Sequence, residues 1–212
     1  MQQLGDRRVL VALAGVAGSG KSTLAKRLEE RINGLPSLPS PICKAVGMDG
    51  YHYTRQQLDA FEDPVMAHKR RGAHFTFDAE AFGSLLQRLR ERPPRRTLAP
   101  SFDHAVKDPV EDGVVIEEHH RLVIVEGLYV LLNHPPWSQS VVPQFDCRIF
   151  INCPMDVAEE RVWRRHVESG ICRDEQDARK RWRESDYVNA EFILAHLDPS
   201  QVDVLLESTY SQ

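Results

Sequence analysis

The sequence predicts an α/β fold, a mostly parallel sheet covered on both faces by helices. Three observations carry that expectation. Short apolar runs alternate along the chain with longer stretches of helical periodicity. The runs are nearly continuous in Val, Ile, Leu and Ala, as strands buried on both faces are. The first of them passes straight into a glycine-rich turn and then an amphipathic stretch, a strand–turn–helix unit.

In chain order, 8–16 (RVLVALAGV) reads as the first buried strand. The helix over 21–32 follows, because Leu24, Leu28 and Ile32 recur at four-residue spacing on one face. A loop with three prolines, 34–41, separates it from a second strand over 43–48. Helical periodicity returns over 79–90 and stops at Pro93-Pro94. The third strand lies at 122–125, flanked by His120 and Glu126, and the fourth at 147–152, beyond Pro135-Pro136. Helices are expected over 155–168 and 174–197, the latter broken near Ser185, with Gly170 a natural stop or hinge between them. A last strand is expected over 202–206. In parallel sheets ligands bind beyond the carboxyl ends of the strands, so the chemistry is to be sought there.

The first such end carries Gly15-Val16-Ala17-Gly18-Ser19-Gly20-Lys21-Ser22, which fits GxxxxGK followed by Ser or Thr. Glycines let the backbone curl until successive N–H groups converge on phosphate oxygens, and the following helix aims its positive end at the same anion. Lys21 is placed to reach the β- and γ-phosphates, and the Ser22 hydroxyl to ligate Mg²⁺. Gly15, Ala17, Gly18, Ser19, Gly20, Lys21, Ser22 and Thr23 are therefore the expected ATP-binding residues. The competing reading is a chance match in a glycine-containing turn, and the strand–turn–helix context argues against it.

A phosphate loop alone does not separate kinases from GTPases, motors or helicases. The second strand ends at Met48-Asp49-Gly50, where a carboxylate beside the loop can accept the proton of an attacking hydroxyl; the bland reading is an Asp-Gly turn. The third strand ends at Val125-Glu126-Gly127, the second acidic position expected near Mg²⁺, or else a capping carboxylate. Asp103 is a weaker candidate, expected in a proline-containing loop. Arg161, Arg164 and Arg165 share one helical face and suit a cationic lid, or a solvated face paired with Glu159, Glu160 and Glu168. Trp163 and Trp182 are expected to pack as core or lid anchors. Of the nine His, His119 and His120 are expected to be exposed, His52 and His104 suit substrate contact, and His68 and His74 read as ordinary packing or surface residues.

The chain has 212 residues with 31 acidic and 27 basic side chains, a formal charge of −4. At about 150 residues per domain this is one domain with its lid, 1–212, the lid spanning roughly 155–185. Near-neutral charge gives no footprint for nucleic acid. No run approaches the roughly 18 apolar residues of a membrane span. The absence of an apolar leader and of CxxC pairing among the four Cys predicts reduced thiols and a cytoplasmic location.

Taken together, the GVAGSGKS loop, the MDGYH strand end, RRGAHFTFD, SFDHAVKDP, VIVEGLY and RVWRRHVESG occur in an order that resembles the phosphoribulokinase/uridine kinase family, over about 9–189. The likeness looks closest to the branch holding pantothenate-kinase-like and fructose-transport kinases. It implies a P-loop NTPase three-layer sandwich with a mostly parallel five-stranded sheet and an arginine-bearing helical lid. It puts the catalytic Asp on Asp49, the loop Lys on Lys21, the Mg²⁺-linked Glu on Glu126 and the first two lid arginines on Arg161 and Arg164.

The chain departs from the uridine kinase pattern at three places. Gly50-Tyr51-His52-Tyr53 stands where an aromatic follows the catalytic Asp. Basic Arg70-Arg71-Gly72-Ala73 replaces an acidic ribose-binding segment. Ser169 replaces a lid arginine, with Arg173 available to compensate. His52, Arg71, Phe102, His104 and Lys107 are the expected substrate contacts, and Lys69, Arg70, Arg71 and Lys107 together predict an anionic acceptor, a carboxylate or phosphorylated sugar. The expected function is an ATP- and Mg²⁺-dependent kinase acting on a hydroxyl of a small nucleoside-, pantothenate- or sugar-like acceptor, with no nucleic acid or membrane partner and room for a homo-oligomer. The alternative is an ATP-hydrolysing switch or chaperone without an acceptor.

Overall fold

The computed structural model describes residues 7–38, 40–103 and 106–208. Five strands form the main sheet: β1 (Val9–Gly15), β2 (Cys43–Gly47), β5 (Leu122–Gly127), β6 (Cys147–Asn152) and β7 (Val204–Glu207). Their order is β2-β5-β1-β6-β7, and every neighbouring pair is parallel. The chain leaves β1 toward one edge and later returns to its other side at β6, so β1 ends at the switch point where such sheets open a crevice. All five expected strands are present.

Alternation along β1 distributes the core. Leu10, Ala12 and Ala14 face a large apolar cluster with Val123, Val125 and Phe150. That cluster is closed by helix α4 (Ala79–Leu89) and the short helix α5 (Trp137–Ser140), through Phe82, Leu85, Leu86 and the fully buried Trp137. Leu13 faces the opposite way, to Ile124 and Ile151, and is covered by helix α1 (Lys21–Asn33) through Leu24, Leu28 and Ile32. The result is the expected three-layer arrangement.

Helix α6 (Met155–Glu168) is followed by α7 (Glu175–Arg181), a π-helical turn over Trp182–Asp186, and α8 (Tyr187–Ala195). The expected break near Ser185 is this π turn; the helical path continues through it with one looser loop of hydrogen bonds. Trp182 is buried there against Val157, Ala158 and Val162 of α6 and Val16 of the glycine-rich loop, the anchoring role expected of it.

Two expectations fail. Asp103 does not lie in an irregular loop: it ends β3 (Thr97–Asp103), which pairs antiparallel with β4 (Asp108–Ile116) as a separate two-stranded sheet. Pro100, Pro109 and Gly113 hid the strands, since proline and glycine read as breakers. The ladder accommodates them with an irregularity between Ala99 and Ser101, where Pro100 sits, and Gly113 leaves space that a Cβ would contest at 2.0 Å from Ser101 Oγ. His120 is not exposed. It is buried, its Nδ1 accepts the Glu117 N–H at 2.9 Å, and burial beside His119 and Lys44 lowers its pKa. Two short helices, α2 (Arg55–Leu58) and α3 (Pro64–Lys69), fill the connection after β2. Among the described residues no helix is long and apolar enough to cross a membrane.

Candidate active site

Register fixes the site before any side chain is considered. Glu126 lies level with Leu13 of β1 on one side and Gly47 of β2 on the other. Beyond that level β1 turns into the glycine-rich loop, and β2 turns into a 3₁₀ turn, Met48–Tyr51, that carries Asp49. Three strand ends thus present a loop, a carboxylate and a second carboxylate to one crevice.

The loop depends on glycine at particular points. Gly18 and Gly20 have φ of +81° and +92°, in the left-handed region that a side chain disfavours. A Cβ on Gly18 would also come within 2.5 Å of the Ala158 carbonyl oxygen, so α6 rests directly on the loop. Lys21 Nζ donates to the Val16 carbonyl at 3.3 Å, arching back over the loop. Ser19 is buried, and its Oγ has no partner among the described residues. Ala17 packs against the apolar cluster of α6 and Trp182, while Ser22 and Thr23 are exposed at the start of α1.

The charges converge on Lys21. Burial lowers its pKa, and the carboxylates of Glu126, Asp49 and Asp186 oppose that effect while Arg165 adds to it. Glu126 is pushed the other way: burial raises its pKa and Asp49 adds to the rise, while Lys21 and the Ser22 hydroxyl restrain it. Ser22 Oγ donates to Glu126 Oε1 at 3.1 Å, and a Cβ on Gly47 would approach that same oxygen at 3.4 Å. A hydroxyl and a carboxylate side by side, next to a phosphate-binding loop, are hard oxygen donors of the kind Mg²⁺ takes while keeping most of its waters. The donor chemistry therefore fits Mg²⁺.

Arg161 reaches the loop. Its Nη1 donates to the Gly18 carbonyl at 3.2 Å and to Ser208 Oγ at 2.8 Å. Arg164 turns elsewhere, pairing with Glu160 and lying over the Trp163 ring at 5.6 Å. Arg165, one residue on, is the arginine whose charge is felt at Lys21 and at Asp186. Arg173 is largely exposed and bonds to Asp177.

On the side of the β3/β4 hairpin, the His52 ring lies between Phe77 (3.9 Å) and Phe102 (4.7 Å), and its Nδ1 is 2.8 Å from the Asp49 carbonyl. Arg71 bonds to Asp108 Oδ1 at 2.6 Å, to the Tyr53 carbonyl at 2.8 Å and to the Lys107 carbonyl, with Phe102 5.7 Å away. His52, Arg71, Phe102 and Lys107 are thus brought together at the β3/β4 hairpin, but the Arg71 charge is already answered by Asp108. His104 lies outside the described residues. Lys69 faces α7 and the π turn across a recess of about 330 Å³, with Lys180, Arg181 and Glu184 opposite. A larger recess of about 530 Å³, lined by Phe61, Met66 and Phe75, sits at α3.

Sequence reasoning missed three members of this crevice. Asp186 carries a pKa raised by burial and restrained by Arg181, Arg165 and Lys21. Tyr129 is fully buried and donates to the Gly72 carbonyl at 2.7 Å. Asn189, also buried, joins Arg70 to the same carbonyl. The one available signal was the disturbed helical pattern near Ser185, which marks the π turn bearing Asp186.

Residues 10–205 match the profile described as the Phosphoribulokinase / Uridine kinase family. The chain belongs to that family. The phosphoribulokinase/uridine kinase family comprises small-molecule kinases, and its relatives cover most of the chain. A Schizosaccharomyces pombe protein, provisionally named uridine kinase C227.14, is 42% identical over 89% of this chain and 79% of its own length. The ATP-dependent kinase-like protein notR' of Aspergillus versicolor is 47% identical over 73% of this chain and 91% of its own. Among solved structures, a kinase provisionally assigned to a fructose transport system in Silicibacter sp. TM1040 superposes with a TM-score of 0.80. It is 32% identical, with 94% of this chain and 89% of that one covered. The family fold agrees with the five-stranded parallel sheet and helical layers described above.

Proposed function

We propose that this chain is an ATP- and Mg²⁺-dependent kinase that transfers the γ-phosphoryl group to a hydroxyl of a small metabolite. The observation that carries the proposal is the convergence on Lys21: a half-buried ammonium arched over a glycine-rich loop, beside the Ser22–Glu126 hydrogen bond at 3.1 Å, with Glu126, Asp49, Asp186 and Arg165 all within electrostatic reach. Loop amides and Lys21 bind the triphosphate, and Ser22 with Glu126 would hold Mg²⁺, whose positive charge offsets that of the phosphates. The acceptor oxygen bonds to phosphorus as the bond from phosphorus to the β-bridging oxygen breaks. ADP leaves with that electron pair, and the hydroxyl proton passes to Asp49. Arg161, already on the loop, and Arg165 neutralise charge on the moving group, and Arg164 would join them only by leaving Glu160. His52 and Phe102 form an apolar wall beside Asp49 on the acceptor side.

Coupled ADP release tests this directly. A kinase releases ADP many-fold faster when one acceptor from a panel of nucleosides, sugars, sugar phosphates, glycerate and pantothenate is added, and yields the phosphorylated acceptor. ADP release indifferent to every acceptor would instead identify an ATP-hydrolysing switch or chaperone.

A further inference from the structure

Arg70 and Arg71 are adjacent in sequence but have opposite electrostatic fates. Arg71 bonds to Asp108 at 2.6 Å and ties the hairpin to the Tyr53 segment. Arg70 points to α8, where its Nη2 donates to the neutral Asn189 Oδ1 at 2.8 Å. Among the described residues, Arg70 has no carboxylate within ion-pair distance, and its Nε is buried without a partner. A half-buried guanidinium with only an amide for company is costly, because its lost hydration is not replaced by an opposite charge.

The position of this cation gives it meaning. Asn189 and Tyr129 both donate to the Gly72 carbonyl, at 3.2 and 2.7 Å, so Arg70, Asn189, Gly72 and Tyr129 form one connected group. The charges of Arg70, Asp186 and Asp49 all act on the Tyr129 hydroxyl, so the hydrogen-bonded group that holds Arg70 also lies within the field of the proposed base. Lys69, just before it, faces the lid segment across the smaller recess.

We infer that Arg70 is the receptor for an anionic group on the phosphoryl acceptor, so the acceptor is a hydroxylated carboxylate or phosphate ester and not a neutral nucleoside or sugar. The inference rests on the kinase reading and narrows it. A guanidinium presents paired N–H donors that match a carboxylate or phosphate, and Asn189 holds one edge of the fork in place, the Arg70 bond to Asn189 being its one side-chain hydrogen bond among the described residues. Arg71, the neighbouring candidate, is a strut of the hairpin.

The wild-type protein supplies the first test, with acceptor pairs that differ in charge: D-glycerate against glycerol, and ribulose 5-phosphate against ribulose. The expected result is ADP release stimulated by an anionic member and at least about tenfold weaker kcat/KM for its neutral counterpart, as loss of a charge-assisted hydrogen bond implies. Arg70→Gln then raises KM for the anionic acceptor about 10- to 100-fold, with KM for ATP within about twofold of wild type. Should that variant melt early, Arg70→Lys retains the cation, and it keeps the preference for the anionic partner of each pair. Stimulation by neutral acceptors as strong as by anionic ones overturns the inference and leaves the kinase standing. An Arg70→Gln variant that melts like wild type with an unchanged acceptor KM overturns it equally. Absence of stimulation by any acceptor overturns the kinase reading and this inference with it.

Discussion

Gly50 follows Asp49 in the 3₁₀ turn, and the Pro100 segment of β3 lies directly against it. A methyl at Gly50 would come within 2.2 Å of the Pro100 carbonyl oxygen and 2.6 Å of its carbon. Both are backbone atoms, so no side-chain rotation relieves the clash, and the turn and hairpin must separate by roughly 1 Å to regain van der Waals distance. Overpacking of this kind costs about 1–3 kcal/mol, which for a chain of this size lowers Tm by roughly 2–12 °C. The same displacement moves Asp49, the proposed base, and an error near 1 Å in a reacting group can cost about 10²-fold in rate. The glycine-rich loop is not part of the contact, so KM for ATP stays within about twofold of wild type. Thermal unfolding and coupled ADP release on Gly50→Ala measure both effects. A Tm within about 1 °C of wild type together with unchanged kcat would refute the claim that the hairpin is seated on the turn bearing the proposed base.

Lys21→Ala removes the ammonium at the centre of the crevice, and kcat is expected to fall by about 10²–10³; near-wild-type turnover contradicts its role. Asp49→Asn keeps the shape of the side chain but cannot take a proton, and kcat is expected to fall by at least about 10² with the melting temperature preserved; retention of kcat within about threefold removes Asp49 as the base. Acid sensitivity is expected from His166, 6% exposed, whose pKa is lowered to about 4 by burial and by Arg181 and Arg165. Its folded pKa lies below the ordinary 6.5, so the unfolded chain binds the proton more readily. The stabilisation is complete above about pH 6.5 and is lost as pH falls toward 4, on the order of 3 kcal/mol. Urea melts of His166→Gln at several pH values between these limits are expected to show a shallower loss of stability than wild type, and an identical slope rules His166 out.

The geometry of the glycine-rich loop and its neighbours was legible because it is written in local sequence. Glycines at 18 and 20 are required by backbone angles, Lys21 and Ser22 by their distance from the loop, and Glu126 by following a buried strand; each requirement is met within a few residues. The sheet was legible for the same reason, since β1, β2, β5 and β6 are apolar runs of strand length. The β3/β4 hairpin was not, because its prolines and glycine are explained only by what they touch: Pro100 by Gly50, and Gly113 by Ser101. His120 shows the same limit. Its burial follows from the hydrogen bond it accepts at a turn, which its neighbours in sequence do not reveal.

The proposed acceptor half is assembled from side chains far apart in the chain, and there sequence proximity misleads. Four cations at 69, 70, 71 and 107 look like one basic patch, yet the fold sends them to different tasks. Lys69 faces α7 and the π turn, Arg70 meets α8, and Arg71 binds Asp108 while donating to the Lys107 carbonyl. Among the described residues only Arg71 of the four has a carboxylate partner; Lys69 and Lys107 are exposed to water, whereas Arg70 is half-buried with an amide as its partner, which is why the proposal rests on it. The two halves also make different demands on substitution. A change at Gly18 alters backbone angles and the seat of α6, so it disables the protein whatever the acceptor. A change at Arg70 or Asn189 leaves the loop, Lys21 and Glu126 as they are. On the proposed roles, acceptor choice can therefore shift within such a fold while the phosphoryl-transfer groups stay constant, because the groups proposed to choose and those proposed to react share a crevice but not a segment.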